Sequence, residues 1–424
     1  MDILRQVSEA PIVIENRKEL TYLLSEAAEL EHGLMCEYLY AAFSLKREAG
    51  PGVSDSQLEA VERWRRVLLD VAAQEMLHWA LVNNILTAVG SAPYVSRPHL
   101  PHQAKGYPAG VQVALVPFGE RALRHFLFLE RPEGMELADA EGFDPSGPAL
   151  PIMSERDLVP WGQEFSTVGH LYRSIEAGLT RLAEKHGEDG LFIGPPQAQA
   201  TAFWPELLAI VDLATAGRAI ELIVEQGEGA RGNWGEAHYG RFLAVLDEYR
   251  TLREADPTFD PAHPVTAAGV RPVEGFEPDV RITDPATAAV SDLFNVVYDL
   301  ILQMIVRYFA AAEETEDQRG ALAYAFVVLM VVVIKPLGLL LATLPVGPAH
   351  ASATAGANFQ LAYRGNFLLP HGRVAFIRFR ERLDEAAAFA DGIDATPEAR
   401  SVLDAVAGTL RSLSEGLSGH IEAL

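Results

Sequence analysis

A carboxylate in the middle of an apolar helical stripe is the first feature of this sequence that could do chemistry. Residues 20–48 have the periodicity of an amphipathic helix, and Glu31 falls at the centre of its apolar stripe on a wheel of about 100° per residue. An unpaired carboxylate is costly to bury, so Glu31 needs a cation, a proton or a strong hydrogen-bond donor. The alternative is a hydrogen-bonded carboxylate in a wet crevice. Glu29 and Glu37 point away from the stripe, and we expect both to be exposed to solvent.

The next predicted helix, residues 57–89, repeats this anomaly and adds a histidine. Glu75 is central to the apolar stripe, and His78 follows three residues later on the same side. Glu-x-x-His is how one helix offers a carboxylate and an imidazole to a metal ion. The spacing alone is weak evidence in a chain with 58 acidic residues and 12 histidines, but only this pair is centred on an apolar stripe. The other two acid-x-x-His pairs are Glu29/His32 and Asp260/His263.

Two later helical patterns add the carboxylates that a second metal ion would need. Residues 165–186 carry Glu176 near the edge of the apolar side, and residues 205–228 carry Glu225 among further acids. The alternative for each of these carboxylates is an ordinary helix residue exposed to solvent. Their order favours a metal site, because two helical hairpins that each supply one Glu and then a Glu with a His form a dinuclear site in a four-helix bundle. The predicted ligands at this stage are Glu31, Glu75, His78, Glu176 and Glu225.

The second half of the predicted site departs from this pattern. Glu228 stands three residues after Glu225, where a histidine is expected, and the nearest downstream histidine is His238, beyond the stretch GEGARGNWG. Either the helix opens at these glycines and His238 returns to the metal from the next helix, or Glu228 is the ligand. We favour His238, because AHYGRF places it beside apolar helix positions. Tyr38 shares the stripe of Glu31, so it is either a hydrogen-bond partner of a ligand or a core tyrosine.

Several segments of the chain resemble the ferritin-like domain of the iminophenyl-pyruvate dimer synthase family, whose members belong to bisindole pathways. The similar segments are ELEHGLMCEYLYAAFSLK, QEMLHWALVNNILTAVG, HLYRSIEAGL, IVEQGEG and AHYGRF. The resemblance covers roughly residues 17–250 and extends more loosely to LPVGPAHASATAGANF. It implies a ferritin-like helical bundle, iron, and oxidative chemistry on a small molecule. The resemblance places Glu31, Glu75, His78, Glu176 and Glu225 on motif positions, and His238 less directly.

We therefore predict a non-haem dimetal oxidase or oxygenase that acts with O2 on a small, amino-acid-derived intermediate. Mixed carboxylate and imidazole ligands suit two iron ions, with manganese as the alternative. An iron-handling ferroxidase or storage protein and a non-catalytic helical scaffold are the competing hypotheses. The expected roles are Glu31 and Glu176 as single-helix carboxylates, Glu75 and Glu225 as bridges, and His78 and His238 as terminal ligands.

The remaining periodicity predicts a mainly α protein in three parts. Residues 1–255 form the ferritin-like four-helix bundle, and residues 91–161 are a lid-like insertion of mixed structure within it. Residues 256–285, with six prolines, are a linker, and residues 286–424 form an additional helical region. The segment 321–344 is long and apolar enough to cross a bilayer. Because Lys335 and Pro336 split it, we favour a buried core helix with a break near Pro336.

Composition excludes several classes of protein. The 34 basic and 58 acidic residues give a net charge of −24 without a basic run, which argues against nucleic acid and anionic membranes as partners. A single cysteine, Cys36, excludes a disulfide framework, and His99 and His102 in a Pro-rich loop are expected to be solvated. The first residues lack a signal-peptide pattern. We expect a cytoplasmic protein, monomeric or a homodimer, whose partners are O2 and a small molecule.

Overall fold

Most of the chain folds into α-helices. The computed structural model describes residues 12–103, 112–141, 143, 165–229, 234–273, 277–310, 314–361, 368–369 and 371–421. The longer helices are α1 (Arg17–Ser44), α2 (Asp55–Ala88), α3 (Glu120–Leu129), α4 (Val168–His186), α6 (Leu213–Gly227), α7 (His238–Ala255), α8 (Pro285–Phe309), α9 (Glu316–Val328), α11 (Gly372–Gly392) and α12 (Pro397–Ile421). The short ones are α5 (Glu188–Leu191) and α10 (Lys335–Leu341). The predicted mainly α fold class is confirmed.

Helices α1 and α2 form the long antiparallel hairpin on which the site is built. Asn16 caps the start of α1, because its side chain accepts a hydrogen bond from the Glu19 N–H. Ser54 and Gln57 form a reciprocal capping box at the start of α2. The two ends meet where the Arg17 guanidinium donates to the Val89 carbonyl at 2.6 Å. The hairpin therefore determines which residues of α1 lie opposite which residues of α2.

Each of the other two sides of the bundle consists of two separate helices instead of one continuous helix. Helices α4 and α6 pack together, as do α3 and α7, with α4 against α1 and with α6 and α7 against α2. Tyr38, in the second half of α1, has its ring 4.8 Å from the ring of Phe126 in α3 and 5.0 Å from that of Phe242 in α7. The predicted opening of the fourth helix is present between Gly227 and His238. On both of these sides, helix ends therefore lie in the middle of the bundle.

The predicted insertion is described only in part, because residues 104–111, 142 and 144–164 lie outside the described residues. Its described part contains the strand β2 (Gln112–Val113), which pairs antiparallel with β1 (His102–Gln103). Helix α3 follows this strand in the chain. His102 is not isolated in solvent, since its Nε2 lies 3.7 Å from the Glu29 carboxylate.

The proline-rich segment between the bundle and the C-terminal helices is packed against the rest of the protein. Phe259 is fully buried, with its ring 6.0 Å from that of Trp64. Ala262 forms a bridge with Leu45, at the end of α1. Buried residues of the bundle and of the C-terminal helices belong to one hydrophobic core. The two helical regions therefore share an interface.

Two helices are long and apolar enough to cross a membrane by length and composition. In Pro285–Phe309, 67% of an apolar stretch of 18 residues is buried within the protein, and in Glu316–Leu341 the corresponding share is 44%. The chain stays helical through the second of these, but it changes to a π-helix over Leu329–Ile334. Pro336 then lies in the first turn of α10. The break predicted near Pro336 is thus a change of helix type, and the predicted burial is incomplete.

Candidate metal centre

Two groups of buried side chains share one carboxylate in the middle of the bundle. Nδ1 of His78 lies 2.9 Å from Oε2 of Glu75, and Nδ1 of His238 lies 3.0 Å from Oε1 of the same carboxylate. In each group the candidate ligand atoms lie within 4.8 Å of one another. Glu75 therefore has the placement of a carboxylate that bridges two cations. The groups are Glu31, Glu75 and His78, and Glu75, Glu130 and His238.

Each of these side chains reaches the centre for a local reason. Glu75 and His78 are three residues apart, so both lie on the inward side of α2. Glu130 follows the last residue of α3, and His238 is the first residue of α7. Gly229, with φ +86, adopts the left-handed conformation that lets the chain leave α6. The second group is therefore assembled at helix ends.

Both imidazoles are oriented by a glutamine on the far side of the ring. Nε2 of His78 lies 2.9 Å from Oε1 of Gln226, and Nε2 of His238 lies 3.1 Å from Oε1 of Gln74. An amide oxygen only accepts, so each Nε2 carries the proton and donates it. Arg241 also donates to the Gln74 oxygen, at 3.0 Å. In the neutral imidazoles, Nδ1 is then the free lone pair that faces the carboxylates, which is the tautomer a metal ligand requires.

Two buried tyrosines hold the outer carboxylates. Tyr172 of α4 donates its hydroxyl to Oε1 of Glu31. Tyr38 of α1 donates its hydroxyl to Oε1 of Glu130, next to the second group. Each outer carboxylate thus has one oxygen fixed by a phenol and keeps lone pairs for another partner.

The donor atoms fit a cation better than they fit one another. Oε1 of Glu75 and Nδ1 of His238 are fully buried, and within the described residues neither makes a hydrogen bond, although they lie 3.0 Å apart. Buried polar atoms are nearly always paired, so these two atoms need either a proton on the imidazole or a cation between them. Carboxylates with imidazoles form a donor set suited to iron or manganese.

Burial and mutual charge shift the pKa values of the cluster strongly. Burial, and then the charge of Glu75, raises the pKa of Glu31 to about 8. Burial opposes the charged imidazoles, but Glu75 and Glu130 outweigh it and raise the pKa of His238 to about 9. The pKa of His78 is likewise raised, because Glu75 and Glu31 outweigh burial. The pKa of Glu75 lies well below its usual range, since His238 and His78 overcome its burial. Without metal, protons on the imidazoles balance the buried carboxylates.

The structure brings together four of the predicted ligands and leaves out two. Glu31, Glu75, His78 and His238 converge, whereas Glu176 and Glu225 are exposed and outside both groups. On α4, Tyr172 takes the inward position four residues before Glu176. On α6, Gln226 faces His78 while its neighbour Glu225 is turned away by about 100°. The structure therefore does not place these two carboxylates at the centre.

The alternative ligand Glu228 is buried elsewhere. Its carboxylate accepts hydrogen bonds from the N–H groups of Gly169 at 2.7 Å and Glu133 at 3.2 Å. Arg173 lies 3.5 Å from the same carboxylate. Gly169 is in the first turn of α4, so the Glu228 carboxylate pairs with a free N–H group at the start of that helix instead of serving as a metal ligand. Between the two alternatives, the structure places His238 in the cluster.

Two buried acids escaped the sequence analysis. Glu130 directly follows the helix ERALRHFLFL, and an acid at that position was the signal by which the sequence could have shown it. Glu37, expected in solvent, is fully buried, accepts a hydrogen bond from the Ala114 N–H, and lies 3.5 Å from Nε2 of His125. The periodicity of α1 could not show that β2 and α3 would cover its outer side.

Comparison with known proteins agrees with this geometry. The family model described as Ferritin-like matches residues 24–247, which is more than half of the chain. The chain belongs to the Ferritin-like family. A solved ferritin-like protein from Caulobacter vibrioides has the same fold, with a TM-score of 0.50 at 18% identity over 77% of this chain and 96% of that one.

Two curated relatives of this Ferritin-like protein carry names from biosynthesis. Dichlorochromopyrrolate synthase of Lentzea aerocolonigenes is 29% identical over 88% of this chain and 39% of its own length. The 2-imino-3-(indol-3-yl)propanoate dimerase of Chromobacterium violaceum is 27% identical over 81% of this chain and 34% of its own length. The chain thus spans under two fifths of either relative. These matches confirm the resemblance to the bisindole enzymes.

Proposed function

We propose that this protein is an oxidative enzyme that holds two iron ions and uses O2 to oxidise a small, amino-acid-derived intermediate. The observation that carries the proposal is the Glu75 carboxylate, which faces His78 with one oxygen and His238 with the other. Glu31 would complete the first position and Glu130 the second. When bound, the ions would bind and reduce O2 and withdraw electrons from the substrate.

The residues around the cluster support this role in three ways. Gln226 and Gln74 keep Nδ1 of each imidazole free to coordinate. Tyr172 and Tyr38 hold the outer carboxylates in place. Burial of all five ligand side chains excludes water, which strengthens their interaction with cations. The names of the two relatives support a substrate derived from an aromatic amino acid.

The test is elemental analysis of protein loaded with ferrous iron without oxygen. We expect about two ions per chain in the parent, and loss of both in Glu75→Ala, because that carboxylate belongs to both groups. His32→Ala is a matched control, since His32 is also fully buried but belongs to neither group. Oxygen uptake by the loaded protein with an aromatic imino or oxo acid then tests the reaction. A folded parent without bound transition metal would refute the proposal.

A further inference from the structure

An apolar cavity of about 470 Å³ lies between the bundle and the C-terminal helices. Its size is that of a small-molecule site. Its walls come from α1, α2, α8, α9 and the π-helix, together with the segment around Phe203. Met76 and Trp79 of α2 line it, and these residues are sequence neighbours of Glu75 and His78. The cavity therefore flanks the candidate metal centre across one helix.

Unusual backbone conformations converge on this cavity. In the described chain, Phe203 (φ 86) and Phe359 (φ 46) are the two residues other than glycine with a left-handed backbone, and both line it. A side chain in that conformation is strained, and such strain clusters at ligand sites. The π-helix Leu329–Ile334 supplies Met330 to the wall, and π-helical turns also mark functional sites. Packing alone would not require these three irregularities in one place.

The charge around the cavity selects an anion. Lys335 lies on its edge, and no acid is among the described residues that line it. Lys335 is the one charged residue among the described residues of the lining. In a chain of net charge −24, an apolar cavity whose single charged lining residue is a lysine favours an anionic ligand. Aromatic walls with one positive edge fit a flat ring that carries a carboxylate.

We propose that this cavity is the binding site for a small aromatic carboxylate, with the ring against Trp79 and Phe359 and the carboxylate towards Lys335. This inference rests on the proposed function for the fate of the bound molecule, and it names the substrate class. Binding itself needs only the cavity.

The experiment is calorimetric titration of the full chain as purified, with indole-3-acetate, indole and tryptamine as probes. Indole-3-acetate should bind about tenfold more tightly than tryptamine, which carries the opposite charge. Ala80→Phe, which fills the cavity from α2, should abolish binding. Lys335→Gln should remove the preference for the carboxylate, whereas Lys185→Gln, an exposed lysine of α4 outside the cavity, should keep it.

Metal content measured on the same preparation after loading with ferrous iron separates the two proposals. Protein that holds metal but binds none of the three probes would overturn the cavity assignment and leave the metal proposal intact. Protein that binds the probes but holds no metal would overturn the metal proposal and leave the cavity assignment intact. Binding that survives in a folded Ala80→Phe variant would place the site elsewhere and overturn the assignment. If that variant does not fold, the Lys335→Gln result decides, because Lys335 is exposed and a neutral side chain fits there.

Discussion

Nδ1 of His238 lies 3.0 Å from Oε1 of Glu75, although the two residues come from helices that are distant in sequence. His238 can occupy this position because α6 ends at Gly227 and α7 begins at His238 itself. The interruption of the helix is thus what completes the second group.

Removing the Glu130 carboxylate should empty one metal position. We expect Glu130→Gln to hold about one ion per chain where the parent holds about two, because Glu130 belongs to the second group only. Elemental analysis after iron loading measures this. Glu37→Gln is the matched control, since Glu37 is equally buried but outside both groups. Equal metal content in Glu130→Gln and the parent would remove Glu130 from the ligand set.

Substitutions at the two excluded carboxylates should be silent. Glu176→Gln and Glu225→Gln should retain the metal content of the parent, because both side chains are exposed. His238→Ala should lose at least one ion. A drop in metal content in either glutamine variant would mean that α4 or α6 turns its carboxylate inwards when metal binds.

Glu228→Gln should affect stability rather than metal content. The two carboxylate oxygens accept hydrogen bonds from the N–H groups of Gly169 and Glu133, and a glutamine has one oxygen to accept only one of them while its NH2 group would face the other N–H. We expect a loss of about 1 kcal/mol in the free energy of unfolding, measured by chemical denaturation. Metal content should stay at the parent value. The reverse outcome, metal loss with unchanged stability, would make Glu228 a ligand.

The glutamines behind the imidazoles should tune metal affinity. Gln226→Leu and Gln74→Leu each remove the acceptor of an Nε2–H, which leaves the ring and its tautomer less defined. Affinity for ferrous or manganous ions should fall by about 10- to 100-fold, as measured by competition with a chelator. Gln303→Leu on α8 is a control, since its amide donates a hydrogen bond to Asp299 and it lies outside both groups. An unchanged affinity in both variants would show that the rings are held by packing alone.

The cluster should make the stability of metal-free protein depend more strongly on pH than that of metal-loaded protein. The folded pKa of Glu31 is raised to about 8 and that of His238 to about 9, both above their unfolded values. Each contributes stability that is present below its unfolded pKa and is lost as pH rises through the folded pKa. Metal-free protein should therefore lose thermal stability as pH rises from about 4.5 to about 9, first through Glu31 and then also through His238.

Metal binding should strengthen over the same pH range. Metal ions compete with protons for the Glu31 carboxylate and the His238 imidazole, so fewer protons must leave at higher pH. Metal-loaded protein should lose less thermal stability than metal-free protein as pH rises. Melting curves of the two forms in parallel measure the difference. Parallel pH dependence of both forms would show that these groups do not titrate against metal.

Much of the centre could be predicted from local sequence. Glu31 and Glu75 each interrupt an apolar stripe, and burial of a carboxylate is costly enough that such positions are informative. His78 followed from the three-residue spacing along one helix face. The glycines after Gly227 predicted the helix break that brings in His238. These inferences depend on periodicity within one element or on backbone preferences of a few residues.

The tertiary structure decided what periodicity could not reach. Whether Glu130 or Glu176 completes the cluster depends on where the ends of α3 and α4 fall along α1, which no single helix specifies. Glu37 looks exposed on a wheel of α1 alone, but it is buried because β2 and α3 cover that side. The cavity at Trp79 likewise exists only because α8 and α9 pack across the bundle. A helix pattern determines which residues share a face, whereas contacts between elements distant in sequence determine which faces meet.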